Sequence, residues 1–247
     1  MVIWSLFDCS GIMGLPWAEE GHSVYCFNAD GADHGDYEHV KAQHENIHYI
    51  NTWIDGAFAN DAMLGRYGKP DIIFAFPPCT DMAVSGAAHF ARKAIADPEF
   101  QIKAVRTARW AQVIGDRYGI PYMIENPVSV LSSKWRKPDA SFHPYEYGQY
   151  LPEDDAHPFY PEYIKPRDAY PKKTCLWFDN GFVIPERKPV PVDAGYSKQH
   201  EMLGGKSKKT KVIRSLTPRG FARAVFDANH HLDSANVPAN PAGPDIR

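Results

Sequence analysis

The sequence predicts an α/β fold: a doubly wound, mostly parallel sheet with helices on both faces. Two observations predict it. Short apolar runs alternate with helical stretches through the first half of the chain. The residues with chemical potential cluster just after those runs, at Asp8 to Gly11, Asn28 to Asp30, Pro77 to Cys79 and Glu125 to Pro127. Sheets of this kind bind ligands at the carboxyl ends of their strands.

Val2 to Phe7 reads as the first strand. A glycine-containing turn leads into a helix through Trp17 to Glu20, ended by Gly21. Val24 to Phe27 is a second strand and Ile47 to Ile50 a weaker third. Asp71 to Phe76 (DIIFAF) is the clearest strand. Residues 98–118 read as one helix, with Ile102, Val105, Ala108 and Ala111 three apart and Ile114 beyond. Tyr122 to Glu125 is a fifth strand. After about residue 132 the pattern fades. Residues 138–171 are rich in Pro, Tyr, His and acids without a period, and read as a loop-rich insertion. Thr174 to Phe178 is a further strand, and Thr217 to Asn229 a helix with Pro218 in its first turn. The expected organisation is a catalytic domain over 1–135, a small recognition lobe over 136–212, a returning helix over 213–232 and a disordered, Pro- and Ala-rich tail over 233–247.

Composition narrows the function classes. The chain has 247 residues, 44% of them hydrophobic and 23% charged, enough for a sizeable core. No apolar run reaches the roughly 18 residues of a membrane span. No secretory signal is read at the N-terminus. Cys9, Cys26, Cys79 and Cys175 form no C-x-x-C pair or zinc spacing, and read as reduced thiols of a cytoplasmic protein. His143, His157, Asp154 and Asp155 read as a solvated loop, so no metal is expected. With a net charge of −3, any nucleic-acid footprint must be local. The strong basic cluster is 204–214 (GGKSKKTKVIR), with Lys206, Lys208, Lys209 and Lys211.

Three short motifs carry chemistry. In F-P-P-C-T, residues 76–80, a cysteine follows two prolines at a strand end, where a stiff loop can hold a thiolate against a substrate ring. In E-N-P, residues 125–127, a carboxylate ends another strand and could face the same cleft. At 5–21 (SLFDCSGIMGLPWAEEG) a strand enters a small-residue turn and then a helix, a generic nucleotide-site arrangement. Each also has a bland reading, as a core thiol, a helix-start carboxylate and a tight β–α turn.

Together these motifs resemble the C5-cytosine DNA methyltransferase family, especially its short bacteriophage forms. Residues 5–21 are similar to its D-L-F-x-G-x-G-G opening and following E-x-x-G, with Phe7, Gly11, Glu19 and Gly21 in place. FPPCT is similar to its nucleophile motif, ENP to its Glu-Asn motif, and RSLTPRGFARA at 214–224 to its R-x-L-T-P-R-E-x-A-R segment. The order is the family's. Departures are Cys9 and Ile12 for glycines, Asn51 for an acid, and Thr80 for a glutamine. The Q-x-R-x-R element has only Y-P-K-K-T as its nearest text, with Lys173 for the first arginine.

The resemblance implies a Rossmann-like sheet of the S-adenosylmethionine-dependent methyltransferase type, a cytosine flipped out of double-stranded DNA, and a short recognition sequence. Cys79 would be the nucleophile, Glu125 the proton donor at ring N3, and Lys173 a holder of base or phosphate. S-adenosyl-L-methionine would contact Phe7, Asp8, Cys9, Ser10, Gly11, Ile12, Asn28, Asp30, Asn51 and Pro77. Substrate would contact Pro78, Thr80, Asn126, Pro127 and the four lysines at 206, 208, 209 and 211. A monomer is favoured. Amino methylation is disfavoured because Phe76 stands where those enzymes need a polar acceptor. C5 chemistry on RNA or a free nucleotide, and a non-catalytic DNA-binding module, are the alternatives.

Overall fold

The computed structural model describes residues 1–29, 37–192, 198–203 and 207–231. Asp30, Lys206 and the 233–247 tail lie outside the described residues. Among the described residues, seven strands form one sheet: β1 (Val2–Leu6), β2 (Ser23–Asn28), β3 (Ile47–Asn51), β4 (Ile72–Ala75), β5 (Tyr122–Pro127), β6 (Ala140–Phe142) and β7 (Thr174–Asp179). Their order is β3-β2-β1-β4-β5-β7-β6. β1 to β5 are mutually parallel, and β7 runs antiparallel between β5 and β6.

β4 is buried along its whole length, as expected of an inner parallel strand covered on both faces. Chain order reverses between β1 and β4, so the carboxyl ends of these neighbours open a crevice at the switch point. The fold is the Rossmann-like, doubly wound α/β sheet expected from the sequence. β1 stops at Leu6, one residue early, because Phe7 turns into the left-handed region at φ +59°.

The helices are α1 (Leu15–Glu19), α2 (Gly56–Met63), α3 (Phe90–Ala96), α4 (Phe100–Ala108), α5 (Trp110–Tyr118), α6 (Leu131–Lys134), α7 (Lys198–Met202), α8 (Lys208–Ser215) and α9 (Arg219–Asn229). The single helix expected over 98–118 is two. Arg109 N–H bonds back to Arg106 O at 3.1 Å, a tightened three-residue step that breaks the α-ladder. Ile102, part of the expected apolar stripe, is exposed.

Two hydrophobic layers cover the sheet. One holds Trp17, Phe74, Leu176, Phe221 and Phe226; the other holds Trp4, Phe58, Ile114, Leu131 and Trp177. The 136–212 stretch, expected as a loop-rich lobe, sends β6, β7 and several aromatics into this fabric. Phe142 stacks on Phe221 with ring centres 4.1 Å apart, and Tyr147 meets Phe221 at 5.2 Å. α9 returns to the sheet, with Phe226 edge-on to Trp17 at 5.1 Å.

Candidate active site

The turn after β1 is closed on itself. Buried Asp8 accepts from Ser10 N at 2.9 Å, Gly11 N at 2.8 Å and Ser5 Oγ at 2.8 Å. Ile12 N donates to Ser10 Oγ at 3.3 Å, and Gly14 N and Leu15 N bond to Gly11 O and Ile12 O. Gly11 has φ +70°, and a Cβ there would lie 2.4 Å from Tyr49 Oη. That glycine is required by the turn and by Tyr49 packing against it. Burial raises the Asp8 carboxyl above its usual range, against the opposing effect of its hydrogen bonds.

This arrangement tests which nucleotide-like ligand fits. The amides of Ser10, Gly11, Ile12, Gly14 and Leu15 are taken up inside the turn, so they do not form a cradle for a pyrophosphate. A donor without phosphates suits it better. Asn28 and Asn51 are register partners at the carboxyl ends of β2 and β3, beside the same crevice. Pro77 is buried after β4. Ser10 and Ile12 are buried, Ile12 within the hydrophobic layer, so their side chains serve the turn. Phe7 and Cys9 are half-buried.

The turn after β4 is open. Cys79 is exposed at its tip, followed by exposed Thr80, with Pro78 half-buried behind it. The loop is held from below. Met82 N and Ala83 N bond to Cys79 O at 2.9 and 2.8 Å, and Lys93 Nζ bonds to Thr80 O at 3.0 Å and to Asp81 at 2.5 Å. It is also tied to the end of β5. Asn126 Nδ2 donates to Pro77 O at 2.9 Å, Val84 N to Val128 O at 3.0 Å, and Val130 N to Met82 O at 2.9 Å. The two motifs therefore form one rigid rim. Asn126 is 1% exposed, and its Oδ1 has no hydrogen-bond partner.

Glu125 enters a pocket that it lines with Phe76, Phe142, Lys172, Thr217 and Phe221. Its lining is largely aromatic and apolar, with Glu125, Lys172 and Thr217 as the polar side chains. Burial raises the Glu125 carboxyl; the Lys172 ammonium pulls it partly back. The Cys79 thiol is also raised, first by the protein crowding it and then by Glu125, while Lys172 again opposes the shift. The resting thiol is thus protonated at neutral pH, and Lys172 is the cation that favours its ionisation.

Lys173, expected to hold the base or the flanking phosphate, is exposed and does not line the Glu125 pocket. Antiparallel pairing sets Glu125 opposite Leu176 and Asn126 opposite Cys175. Side chains alternate along a strand, so Thr174 and Leu176 share the Glu125 face; Lys172, just before β7, lines the Glu125 pocket. Lys173 acts on the Cys175 thiol. Lys172 is held by a bond from its Nζ to Arg214 O at 2.7 Å. Pro127 ends β5, half-buried. On α8, Lys208, Lys209 and Lys211 are exposed; Lys209 is engaged by the Tyr163 hydroxyl at 3.1 Å and lies over its ring. Among the described residues no group of His, Cys, Asp or Glu could hold a metal, and no helix is long and apolar enough to cross a membrane.

No protein-family profile and no curated protein matches the chain. Solved structures do. One, described as a DNA modification methyltransferase encoded within an E. coli prophage, aligns at 12% identity and a TM-score of 0.44, over 77% of this chain and 52% of its own. This chain thus spans about half the length of that protein. The Bordetella bronchiseptica enzyme WbmH, solved with NAD+, aligns at 14% identity and a TM-score of 0.28, over 45% of this chain and 36% of its own. The epimerase Mth375 of Methanothermobacter thermautotrophicus aligns at 18% identity and a TM-score of 0.28, over 44% and 32%. At these levels the likeness says nothing of the reaction.

Proposed function

We infer that the protein is a methyltransferase acting on carbon 5 of cytosine in double-stranded DNA, with Cys79 as covalent nucleophile. The observation that carries this reading is the joining of Cys79 and Glu125 on one rim, tied by the Asn126 to Pro77 hydrogen bond, beside an aromatic pocket that also holds Lys172. A thiol, a carboxyl of raised pKa and a cation near one another are the groups that activating a pyrimidine ring requires.

An S-adenosyl-L-methionine held at the crevice between the β1 and β4 turns would supply an electrophilic methyl group. Asn28, Asn51, Pro77 and the Asp8–Gly11 turn are the residues that would hold it, and a turn with inward-facing amides suits a donor lacking phosphates. The Cys79 thiol first loses its proton to solvent, aided by Lys172. The thiolate then forms a bond to ring C6, and the C5=C6 electron pair moves toward the ring nitrogen. Glu125, whose carboxyl burial raises above its usual range, donates a proton to N3 and leaves C5 electron-rich. Once C5 is methylated, its proton departs to solvent, the S–C6 bond breaks, the N3 proton returns to Glu125, and the C5=C6 bond, the thiolate and the protonated carboxyl are restored. Flipping the base out costs a few kcal/mol, at a rough estimate. Within 136–212, the residues outside β6 and β7 would read a short target sequence.

The test is incubation with unmethylated duplex and S-adenosylmethionine, digestion to nucleosides and mass spectrometry, with Cys79→Ser in parallel. The expected result is 5-methylcytosine from wild type and none from the variant. A methyl on an amine, or product surviving Cys79→Ser, overturns the reading.

A further inference from the structure

A basic surface lies on the side of the sheet away from α8, where the sequence drew no attention. Segments 102–112 and 129–139 together hold six cations and a single carboxylate, in a chain whose net charge is −3. The two segments meet at Trp135. The Arg109 guanidinium lies 5.3 Å from its ring centre and that of Arg136 lies 4.8 Å away. Trp135 is in turn stacked on Trp177 at 6.2 Å, whose indole nitrogen donates to Arg136 O at 2.8 Å. Arg136 is spent on Asp139 and on Phe178 O. Arg109 uses only its Nε, toward Gln112, which leaves the end of its fork available. Arg106, Lys134 and Lys137 are exposed.

The surface is continuous with the rim of the candidate active site. Cys79 O accepts from Met82 N, Met82 O from Val130 N, and Val130 O from Lys134 N, each at 2.8 or 2.9 Å. α5 leads into the amino end of β5, so Arg109 at its start lies toward the carboxyl end of the sheet, where the rim is. Four cations with spare donors, Arg109 among them stacked on Trp135, match a row of phosphates rather than a single anion. Pre-fixing the guanidinium lowers the entropic cost of each contact.

We propose that Arg106, Arg109, Lys134 and Lys137 form the docking track for the phosphate backbone of duplex DNA, gripping it from the α5 side while the target base enters the Glu125 pocket. This rests on the reading of duplex DNA as substrate. The test is fluorescence anisotropy of a labelled 20-base-pair duplex (roughly two helical turns) titrated across a salt series. Wild type is compared with the triple variant Arg106→Ala/Lys134→Ala/Lys137→Ala and with Lys208→Ala/Lys211→Ala on α8. Arg109 is left intact because it packs on Trp135. Donor binding by calorimetry and thermal melting monitor the fold.

The plot of log affinity against log salt loses about 0.9 in slope per phosphate contact removed. The triple variant should therefore lose about 2 to 3 units of slope, with unchanged donor binding. A native slope in the triple variant, with a reduced one in the α8 variant, overturns the proposal and moves the track to α8. If wild type does not bind duplex at all, or binds only RNA, the reading of the substrate falls and the proposal falls with it. If wild type binds and the triple variant keeps the wild-type slope, only the track is lost.

Discussion

The turns after β1 and β4 sit side by side at the same end of the sheet and use their polar groups in opposite ways. The β1 turn folds its amides onto Asp8, buries that carboxylate and fills the space beside Gly11 with Tyr49. The β4 turn keeps Cys79 exposed, anchors its own backbone from below, and leaves Asn126 Oδ1 without a partner. One has satisfied its hydrogen-bonding potential and is architecture. The other has unspent capacity on a stiff frame, which is what a reacting group needs. Position at the carboxyl edge alone does not distinguish them; hydrogen-bond accounting does.

The comparison predicts opposite phenotypes. Cys79→Ser should abolish methyl transfer while leaving the melting temperature within about 1 °C, since an exposed side chain contributes little to stability. Equal loss of stability and activity would mean that the β4 turn is architectural too. Asp8→Ala should act in the other sense. It strands Ser10 N, Gly11 N and the Ser5 hydroxyl, at about 1 kcal/mol each or more. A total near 3 kcal/mol lowers the melting temperature by about 6 to 12 °C in a chain of this size. Asp8→Asn keeps one acceptor oxygen and should cost about 1 kcal/mol. Its deficit should also depend on pH. Because the folded Asp8 pKa is raised above the ordinary 3.8, wild type gains from this group at low pH and loses that gain as pH rises through the folded pKa. The gap between wild type and Asp8→Asn should therefore narrow from acid toward neutral pH in denaturant titrations.

The closing of the β1 turn can be tested separately at Gly11. Gly11→Ala combines a positive φ with a collision on the Tyr49 hydroxyl, and should cost about 2 kcal/mol. Adding Tyr49→Phe removes the hydroxyl and should recover part of that loss in thermal melts. Full recovery would mean that the φ strain is negligible. No recovery would mean that the space beside Gly11 is not what Tyr49 fills.

Much of the candidate site was legible because its residues lie in contiguous tripeptides at the ends of strongly apolar runs: Pro77–Cys79 after β4, and Glu125–Pro127 closing β5. The parallel core was legible for the same reason. What escaped depends on partners distant in sequence. Phe142 and Tyr147 sit in a proline-rich stretch with no period, and only their contact with Phe221 makes them core. The break at Arg109, whose guanidinium lies over Trp135, 26 residues on, coincides with no Gly or Pro in the sequence. The choice between Lys172 and Lys173 rests on which of them reaches the Glu125 pocket, and neither residue encodes that by itself.

That last pair gives the finest test of how the open turn works. Lys172 is the cation that opposes the raised pKa of both Cys79 and Glu125, whereas Lys173 acts on Cys175. Replacing Lys172 by methionine preserves most of its apolar stem and removes the charge. Both the thiol and the carboxyl should then titrate at higher pH. In single-turnover kinetics, the limb that rises as the thiolate forms should move alkaline. Each pH unit of movement means about a tenfold slower rate at neutral pH. Glu125 would hold its proton over a wider range, so the step at N3 should survive, and raising the pH should restore the Lys172→Met rate toward wild type. Lys173→Met should leave that limb in place, because its charge lies across the strand from the pocket. A shifted limb with Lys173→Met and an unmoved one with Lys172→Met would reverse the assignment, and with it the face of β7 that serves the reaction.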